Sequence, residues 1–384
     1  MAKQNIIILL NSFWNNGKGM SGGDQMLIQI FKRIRSDFNK IYCITNFDGK
    51  IVIENDLKNI DFLLSSTVFD KLNLLINYFF RTIQAFRILK LKNIDIIYSG
   101  SDFFPDVLPA YIYTKLNPST KWYQCIFHIY PNYKVRPGSK IKSFVAEYLQ
   151  KFSFFFAKNA DCIININTQV SQKLIQIGFE KEKIVVNTPG INFNYLSDIK
   201  YDADTPYYDA TFLARLNPSK GIFDLINIWK LVLSKVPNAR LGIIGGGSKK
   251  IIEELTIQIK ENSLENNISL LGFIENQQSF EIIKKSKVFI FPSHEEGFGI
   301  AIADAMACSV PVISWDLEVY DEIFEDNLVQ IPLDDIDGFA NKIVSTLEQA
   351  NKDIVEKAYK FIGKYDWEQI SIKHKNILKG YSNG

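Results

Sequence analysis

The chain has 384 residues, of which 47% are hydrophobic and 13% aromatic, which is enough apolar material for two hydrophobic cores and excludes a disordered chain. Its formal charge is +2 at pH 7, no run of about 18 apolar residues occurs, and no secretory leader pattern opens it, so neither a membrane-spanning helix nor secretion is predicted. The four cysteines lie far apart without metal-ligand spacing, which predicts reduced, buried thiols in a cytoplasmic protein.

The small net charge hides an uneven division along the chain. Residues 1–190 hold 24 Lys and Arg against 14 Asp and Glu, a net of +10, whereas residues 191–384 hold 20 against 28, a net of −8. We therefore expect the two halves to meet different partners.

The first predicted elements are a strand from Asn5 to Asn11 and a helix from about Gln25 to Ile34. The loop between them contains three glycines that spell GxGxxG, the dinucleotide fingerprint: Gly17, Gly19 and Gly22. Five residues separate the strand from the first of these glycines, and only Asp48 stands near the place of a ribose-binding acid. A nicotinamide-dependent oxidoreductase is therefore an alternative function that this loop leaves open.

The first half continues with alternating strands and helices. Strands are predicted at Ile41–Thr45, Ile94–Ser99, Trp122–Phe127, Ala160–Ile166 and Ile184–Asn187, with helices at about Lys71–Lys92 and Gln169–Ile177. His128 stands at the end of the third of these strands. A lone histidine is more often structural, but α/β folds open their ligand crevice at the carboxyl ends of strands, so His128 is a candidate ligand contact.

Residues 131–158 combine many Lys and Arg side chains with aromatic rings and contain a single acid, Glu147. Cations next to apolar rings are typical of segments that lie on an anionic membrane surface. A core helix with a solvated lysine face explains the same composition equally well. Nucleic-acid binding is not expected, because no recognised module accompanies the charge.

The second half begins with a polar linker at 193–208 and then alternates regularly between strands and helices. Its strands are predicted at Ala210–Arg215, Arg240–Ile244, Ile268–Leu271, Val288–Phe291, Val310–Ile313 and Leu328–Ile331. This alternation predicts a parallel, doubly wound sheet with its loops at the carboxyl ends of the strands. A last helix is expected from Tyr365 to Leu378.

The stretch from Lys287 to Asp316 carries the densest chemistry. After the strand that stops at Pro292, a loop with Gly297 and Gly299 leads into an alanine-rich helix predicted to begin near Phe298. Glycines let the backbone approach a ligand, and a helix start offers unpaired N–H groups and the positive end of its dipole. We therefore expect an anion such as phosphate to bind there.

Two acids frame this anion site, Glu296 in the loop and Asp304 inside the helix. About five or six helical residues at 1.5 Å each place them roughly 8 to 9 Å apart along the axis. This spacing suits a nucleotide sugar, with sugar hydroxyls at Glu296, diphosphate at the glycines and ribose hydroxyls at Asp304. Taken singly, the two acids would be a solvated loop residue and a residue of the polar helix face.

The sequence PSHEEGFGIAIADAMA, at positions 292–307, resembles the signature of the retaining family 4 glycosyltransferases of the GT-B fold. In that family two glutamates frame a GFG turn, and Asp304 stands here where the second glutamate is usual. The resemblance implies an α/β protein with two Rossmann-like, doubly wound parallel-sheet domains that face a cleft. It places the acceptor on the first domain and the nucleotide-sugar donor on the second, and it implies that the last helix, 365–384, packs back on the first domain.

The resemblance also implies roles for residues outside the signature. Arg215 and Lys220 would neutralise the departing diphosphate, which agrees with the need for fixed cations where no metal site is convincing. His128 would touch the donor sugar, and a glycine pair at the start of the first helix would approach the donor phosphates. The predicted catalytic residues are Glu296, Arg215, Lys220 and His128, and the predicted donor-binding residues are Gly22, Gly23, Gly246, Gly297, Phe298, Gly299 and Asp304.

Three details remain open in this pattern. Gly246, in the run Gly245–Gly247, could admit the nucleotide or serve only as a helix entry. His294 could support the Glu296 loop or be simply exposed. After the strand at Val310, Glu318 and Val319 stand where the family often has a glycine pair, which makes a GT-B-like scaffold with weak or no turnover a rival to an active enzyme.

We therefore predict domains at 1–192 and 209–364, with the linker at 193–208 between them. The expected activity is metal-independent, retaining transfer from a UDP- or GDP-sugar to a glycan or lipid-linked acceptor, without a cofactor, in cell-surface polysaccharide or glycoconjugate synthesis. The loops at 12–23 and 103–109 would select the acceptor. The expected location is cytoplasmic, with an anionic membrane as a candidate partner of residues 131–158.

Overall fold

The computed structural model of the chain describes residues 3–13, 22–66, 74–130, 132–134, 140–349 and 352–380. Contacts divide the chain into two compact units. Unit 1 comprises Met1–Pro189 together with Glu368–Gly384, and unit 2 comprises Gly190–Trp367. No helix within the described ranges is both long and apolar enough to cross a bilayer.

Unit 1 is built around a seven-stranded parallel sheet in the part of the chain that the structure describes. Its strands are β1 (Asn5–Leu10), β2 (Lys40–Thr45), β3 (Asp61–Leu64), β4 (Ile96–Ser99), β5 (Lys121–Cys125), β6 (Cys162–Asn165) and β7 (Ile184–Val186). The first six helices are α1 (Gly22–Ile34), α2 (Phe47–Ile53), α3 (Leu74–Leu89), α4 (Phe104–Leu116), α5 (Lys140–Ala157) and α6 (Thr168–Gln176). The spatial order is β3-β2-β1-β4-β5-β6-β7, so the winding direction reverses between β1 and β4. Ile6, Ile7 and Ile8 of β1 are fully buried, as expected for a central strand of a covered parallel sheet.

The predicted loop at 103–109 is instead the start of α4. Its two prolines favour a loop in the sequence, yet Pro105 lies in the first turn, where a helix needs no N–H. Pro109 lacks the N–H that would bond the carbonyl of Pro105, and Asn11 Nδ2 donates to that carbonyl at 3.0 Å in its place. A side chain that follows β1 therefore completes the helix. The edge strand β3, which no sequence pattern indicates, is a second addition.

Unit 2 contains a six-stranded parallel sheet in its described residues. Its strands are β8 (Ala210–Leu213), β9 (Leu241–Ile244), β10 (Ile268–Gly272), β11 (Val288–Phe291), β12 (Val312–Trp315) and β13 (Val329–Ile331). Its helices are α7 (Phe193–Asp198), α8 (Asp224–Lys235), α9 (Lys249–Glu261), α10 (Asn276–Lys285), α11 (Ile300–Ala307), α12 (Glu318–Phe324), α13 (Ile336–Glu348) and α14 (Lys352–Ile362). The spatial order is β10-β9-β8-β11-β12-β13, so the winding reverses between β8 and β11. The prediction of two doubly wound parallel sheets is confirmed.

Element boundaries in unit 2 differ from the predictions at three places. Strand β12 begins at Val312 rather than Val310, after Pro311, which has no N–H to donate to a ladder. Helix α11 begins at Ile300, two residues after the predicted start at Phe298. The predicted linker 193–208 lies within unit 2 and opens with α7.

The last helix, α15 (Trp367–Leu378), belongs to unit 1 from Glu368 onward. Tyr123 Oη donates to the carbonyl of Leu378 at 3.0 Å, and Asn187 Nδ2 lies 2.9 Å from His374 Nδ1. His374 is fully buried, and this burial lowers its pKa to about 3, so the ring is neutral. The end of the chain is thus part of the core of unit 1.

Candidate functional site

The loops that follow β8 and β11 lie side by side, because these two strands are neighbours in the sheet although one begins at Ala210 and the other at Val288. Open α/β sheets bind ligands at this kind of topological switch point, outside the carboxyl ends of the strands. We call residues 214–221 the Lys220 turn and residues 292–299 the Glu296 loop. Most residues predicted from the sequence for the donor site lie in these two segments.

The Lys220 turn is shaped by a short 3₁₀ helix, Pro218–Lys220, with the Asn217 side chain accepting from the Ser219 N–H at 3.0 Å. Gly221 ends this helix in the left-handed region, with φ of +70°. A Cβ at this position would lie only 1.7 Å from the carbonyl oxygen of Pro292. Glycine at position 221 therefore allows the turn to rest directly on the backbone of the Glu296 loop.

This contact brings Lys220 to Glu296. Lys220 Nζ lies 2.5 Å from Glu296 Oε1 and also donates to the carbonyl of Glu295 at 3.0 Å. Ser293 Oγ donates to the same Glu296 oxygen at 3.3 Å. The Lys220 and Glu296 side chains are 21% and 13% exposed, so the pair is partly shielded from water and still reachable by a ligand.

Arg215 lies at the open side of the same turn. Its side chain is exposed, and it has no hydrogen-bond or ion-pair partner among the residues that the structure describes. The adjacent backbone is fixed, because the Leu216 N–H donates to the carbonyl of Gly246 at 2.8 Å. Arg215 is thus a guanidinium on an anchored backbone with its donors available.

The glycine run after β9 serves mainly this anchoring. A Cβ at Gly245 would lie 1.8 Å from the carbonyl oxygen of Ala214, and one at Gly247 would lie 2.9 Å from that of Leu216. A Cβ at Gly246 would meet nothing closer than Phe273 Cβ at 4.0 Å. The outer glycines are therefore explained by close backbone packing, whereas Gly246 has open space beside it.

The one side chain of the GFG turn faces the core of unit 2. The Phe298 side chain is buried, with its ring 5.2 Å from that of Tyr365 and 6.1 Å from that of Phe324. The predicted donor contact at Phe298 is therefore limited to its backbone. Gly299 caps α11 in the left-handed region, with φ of +92°, which favours glycine over residues with a side chain.

Asp304 lies in the second turn of α11 and is half-buried. Burial raises the pKa of its carboxyl group to about 7. The carboxyl group has no hydrogen-bond partner within the described ranges. An acid of this kind can accept hydrogen bonds from ligand hydroxyls once it is ionised.

The remaining predicted residues lie in unit 1. His128 is exposed after β5, and its carbonyl accepts a hydrogen bond from Gln150 Nε2 at 2.9 Å. Gly22 and Gly23 open α1, and a Cβ at Gly23 would lie 2.7 Å from the Phe127 ring. Gly17 and Gly19, on which the dinucleotide interpretation depends, lie outside the described residues.

Sequence reasoning missed the partner of His294. His294 Nε2 lies 2.6 Å from Asp224 Oδ2, and Trp315 Nε1 donates to the same oxygen at 3.2 Å. Asp334 Oδ1 lies 4.0 Å from the other ring nitrogen. These three His and Asp side chains form a cluster with metal-ligating groups, but the two ring nitrogens face different carboxylates, so hydrogen bonding accounts for the geometry. No local signal could have found Asp224, because it is 70 residues from His294.

A second surface, in unit 1, has an unusual distribution of side chains. The face of α5 that is directed inward carries Ser143, Glu147, Gln150 and Ser153 among its buried residues. The outward face carries a stripe of exposed apolar side chains, which we call the α5 stripe: Ile141, Phe144, Tyr148, Phe152 and Phe155. Ile141 and Phe155 are 78% and 72% exposed. The same helix buries Phe154 and Ala157 in the core of unit 1 and exposes Lys140 and Lys151, so it combines a core-facing side and solvated lysines with an exposed apolar stripe.

Most of unit 2 matches a known protein family. Residues 197–361 match the family model described as glycosyl transferases group 1. An uncharacterized glycosyltransferase of Methanocaldococcus jannaschii is 35% identical over 175 residues, which cover 42% of this chain and 41% of that protein. The poly(glycerol-phosphate) alpha-glucosyltransferase of Bacillus subtilis is 26% identical over 259 residues, which cover 65% of this chain and 36% of that protein. The chain thus spans less than half the length of these two relatives.

Comparison with solved structures extends the likeness to both units. The Anabaena protein HepE, solved with UDP and glucose, superposes with a TM-score of 0.73 at 19% identity, covering 98% of this chain and all of that one. A glycosyltransferase from Rickettsia africae superposes with a TM-score of 0.74 at 17% identity, covering 99% of each chain. At these identities the likeness shows the fold, and the predicted GT-B fold class is confirmed.

Proposed function

We propose that the chain, whose residues 197–361 match the glycosyl transferases group 1 and which has the GT-B fold, transfers a sugar from a nucleoside-diphosphate sugar to an acceptor. The observation that carries the proposal is the pairing of Lys220 with Glu296 at the switch point of unit 2. A cation and an acid held together there match the two ends of such a donor, the anionic diphosphate and the hydroxylated sugar.

In this proposal the donor diphosphate replaces Glu296 as the ion-pair partner of Lys220. The Lys220 ammonium turns from the carboxylate to a phosphate oxygen, and Arg215 adds a second cation from the same turn. The released Glu296 carboxylate accepts hydrogen bonds from the sugar hydroxyls. Backbone N–H groups at the start of α11, next to Gly299, meet the remaining phosphate oxygens. Asp304, one turn further along the helix, accepts from the ribose hydroxyls.

The same groups support a metal-independent mechanism. When the bond between the sugar and the diphosphate breaks, negative charge grows on the leaving phosphate, and Lys220 with Arg215 stabilises that charge. A hydroxyl of the acceptor then bonds to the anomeric carbon on the face that the diphosphate leaves, and its proton passes to the departing phosphate oxygen. The transfer proceeds with retention of configuration, as the signature around Glu296 implies. The family resemblance further suggests that His128 contacts the donor sugar.

The relatives support the choice of substrates. HepE was solved with UDP-glucose, and the Bacillus subtilis relative is named for glucosylation of poly(glycerol-phosphate). A relative from Acholeplasma laidlawii, 23% identical over 80% of each chain, is named alpha-monoglucosyldiacylglycerol synthase. We therefore propose a UDP- or GDP-sugar as donor and a glycan or lipid-linked acceptor. We also propose that the protein acts in the cytoplasm and contributes to the synthesis of cell-surface polysaccharide or glycoconjugate.

A donor panel tests the proposed activity. The purified protein is incubated with UDP- and GDP-sugars, with NAD as a control ligand, and release of nucleoside diphosphate is followed in excess EDTA. We expect slow hydrolysis of one donor, faster release with acceptor present, and a product with the anomeric configuration of the donor by NMR. No turnover of any donor would favour a scaffold without activity. An increase in the thermal unfolding midpoint with NAD alone would favour an oxidoreductase. Loss of turnover in EDTA would contradict the metal-free mechanism.

We further propose that the α5 stripe lies on an anionic membrane. Within the stripe the rings of Phe144 and Tyr148 contact each other, with centroids 4.3 Å apart, and the rings of Phe152 and Phe155 each contact that of Phe156. Lys140 and Lys151 lie on the same helix with exposed side chains, which suits anionic headgroups. A membrane would cover rings that otherwise face water, and it would supply a lipid-linked acceptor.

Sedimentation with vesicles tests this surface. We expect the protein to sediment with vesicles that contain phosphatidylglycerol at low salt, and Phe155→Ser with Phe152→Ser to reduce the bound fraction severalfold, because each buried ring contributes about 1.5–3 kcal/mol. Leu91→Ser is the matched control, since Leu91 is 82% exposed outside α5. Equal binding by the double variant and the control would contradict the proposal.

A further inference from the structure

His294 is attached at two points to segments that follow β8. Its backbone N–H donates to the carbonyl of Ser219 at 2.9 Å, within the Lys220 turn. Its ring Nε2 lies 2.6 Å from Oδ2 of Asp224, the first residue of α8. A residue of the Glu296 loop is therefore tied both to the turn that carries Lys220 and to the helix that follows this turn.

Asp224 is a firm anchor for the ring. The oxygen that faces His294 also accepts a hydrogen bond from Trp315 Nε1, and Trp315 is the fully buried last residue of β12. The indole ring is held in turn by Phe339, with the ring centroids 4.6 Å apart. One carboxylate oxygen thus joins the Glu296 loop, the start of α8 and the end of β12.

The opposite side of the His294 ring offers no comparable anchor. Asp334 Oδ1 is 4.0 Å from Nδ1, and the Asp334 side chain is 77% exposed. An exposed carboxylate at this distance contributes little to holding a ring in place. The bond to Asp224 therefore determines the orientation of His294.

The Glu296 loop needs such a tether. It has no regular secondary structure between Phe291 and Ile300 and contains Gly297 and Gly299, so hydrogen bonds to neighbouring segments must hold it in place. The bonds of Ser293 and Lys220 hold it to the Lys220 turn, and the His294 ring holds it to the start of α8. Glu296 follows His294 by two residues, and its carboxylate must meet both Lys220 in the free protein and the sugar in the proposed complex. Misplacement of a substrate-positioning group by about 1 Å can reduce turnover about 100-fold.

We propose that His294 is a positioning residue, which fixes Glu296 against Lys220 through its hydrogen bond to Asp224. The inference rests on the proposed glycosyl transfer and adds to it a tether that does not itself touch the substrate. It predicts that the loop requires the N–H of the His294 ring as a hydrogen-bond donor, rather than the size or aromatic character of the side chain.

Three variants separate this role from a general effect on folding. In His294→Ala, kcat falls about 10- to 100-fold while the donor KM changes by less than about threefold, because the loop is misplaced but the nucleotide contacts remain. In His294→Gln, the amide Nε2 donates to Asp224 and restores kcat to within about threefold of the wild type. Asp334→Asn, which keeps a residue tolerant of its left-handed φ of +67°, is the matched control and leaves kcat unchanged. Equal kcat in His294→Ala and the wild type, or equal losses in the Ala and Gln variants, would overturn the proposal.

Hydrogen exchange gives a readout that does not depend on activity. We expect the amides of residues 293–297 to exchange about tenfold faster in His294→Ala than in the wild type, while those of β9 are unchanged. Unchanged exchange in the loop would overturn the tether even if turnover fell. A wild-type protein that turns over no nucleotide sugar would instead refute the proposed function, and the exchange result would still decide whether His294 holds the loop.

Discussion

The two units have the same reversal of winding in their sheets but use it differently. In unit 1 it lies between β1 and β4, and in unit 2 between β8 and β11. At the reversal in unit 1 the side chains of Ser12, Ser101 and Asp106 are buried or half-buried and bonded to one another. At the reversal in unit 2, Arg215 is exposed and without a partner among the described residues, and the Lys220–Glu296 pair is reachable from solvent.

The cluster in unit 1 centres on Asp106, which is fully buried in the first turn of α4. Its two oxygens accept from the Asn11 N–H at 2.6 Å, from Ser12 Oγ at 2.7 Å and from Ser101 Oγ at 2.5 Å. Burial raises the pKa of this carboxyl group to about 7, although the same hydrogen bonds act to lower it. The cluster thus joins the segments after β1 and β4, and the carboxyl oxygens of Asp106 are bonded to groups of the fold itself.

The difference shows that topology sets where a crevice opens, while the side chains decide whether it binds a ligand. In unit 1 the acid is satisfied by neighbours of its own fold, so its loss should reduce stability. In unit 2 the charged groups bond only within the Lys220 turn and the Glu296 loop or have no partner in the described ranges, so their loss should reduce binding and turnover. Variants in the two units should therefore differ in what they lose, stability in unit 1 and activity in unit 2.

The largest effect is expected from Lys220→Ala in unit 2. Removal of one fixed donor to a developing charge reduces kcat by about 10²–10³-fold, and we expect this loss with the thermal unfolding midpoint nearly unchanged. Lys249→Ala, on an exposed lysine 92% accessible to solvent, is the control that keeps full activity. Activity equal to that of the control would remove Lys220 from the site.

The next largest effect is expected from Asp106→Ala in unit 1. It leaves three donors without their acceptor, and we expect a loss of about 2–3 kcal/mol in the free energy of unfolding, measured with urea. Because burial places the folded pKa, about 7, above the ordinary value of an aspartate, the stabilisation by Asp106 is greatest at low pH and declines as pH rises through about 7. The loss should therefore be larger at pH 5.5 than at pH 8.

Asp304→Ala in unit 2 provides the contrast. Asp304 has no partner among the described residues, so its replacement costs no hydrogen bond, and we expect no loss of stability at pH 5.5. Because burial alone raises its pKa to about 7, the ionised carboxylate opposes folding at pH 8, and the variant should be more stable than the wild type there. If the two variants were equally destabilised, the distinction between a structural acid in unit 1 and an acid available to ligands in unit 2 would be wrong.

The smallest effect concerns the pH dependence of donor binding. If ionised Asp304 accepts bonds from ribose hydroxyls, its pKa of about 7 makes the donor bind more tightly as pH rises from 6 to 8. We expect the dissociation constant of a nucleotide sugar, measured by calorimetry, to decrease by up to about tenfold over this range in the wild type. In Asp304→Asn the same titration should be flat, and an identical slope in both proteins would contradict the contact with Asp304.

Much of this architecture follows from the sequence. Apolar runs of four to six residues separated by helical periodicity predict the alternation of strands and helices, because a parallel strand covered on both faces must be continuously apolar. The glycines around Glu296 indicate a ligand site, because glycine lets the backbone come close to a bound ligand. The sequence alone also points to both members of the central pair, to Lys220 by its chemistry and the family resemblance and to Glu296 by its place beside the glycines.

Tertiary structure decides what these residues contact. Lys220 and Glu296 are 76 residues apart, and His294 and Asp224 are 70 apart, so no local pattern links them; they meet because β8 and β11 are neighbours in the sheet. Phe298 lies within the ligand motif, yet its ring belongs to the core.

Helix α5 shows most clearly that the sequence does not reveal which face of a helix is buried. Its sequence contains a polar stripe and an aromatic stripe, and the usual rule places the aromatic one inside. Gln150 of the polar stripe is inside because unit 1 offers it partners, namely Asp102 and the backbone of His128 and Tyr130. Local sequence is enough to predict the helices, the strands and the chemical groups that they carry. Which groups are paired and which faces stay exposed follows only from the packing of segments that are distant along the chain.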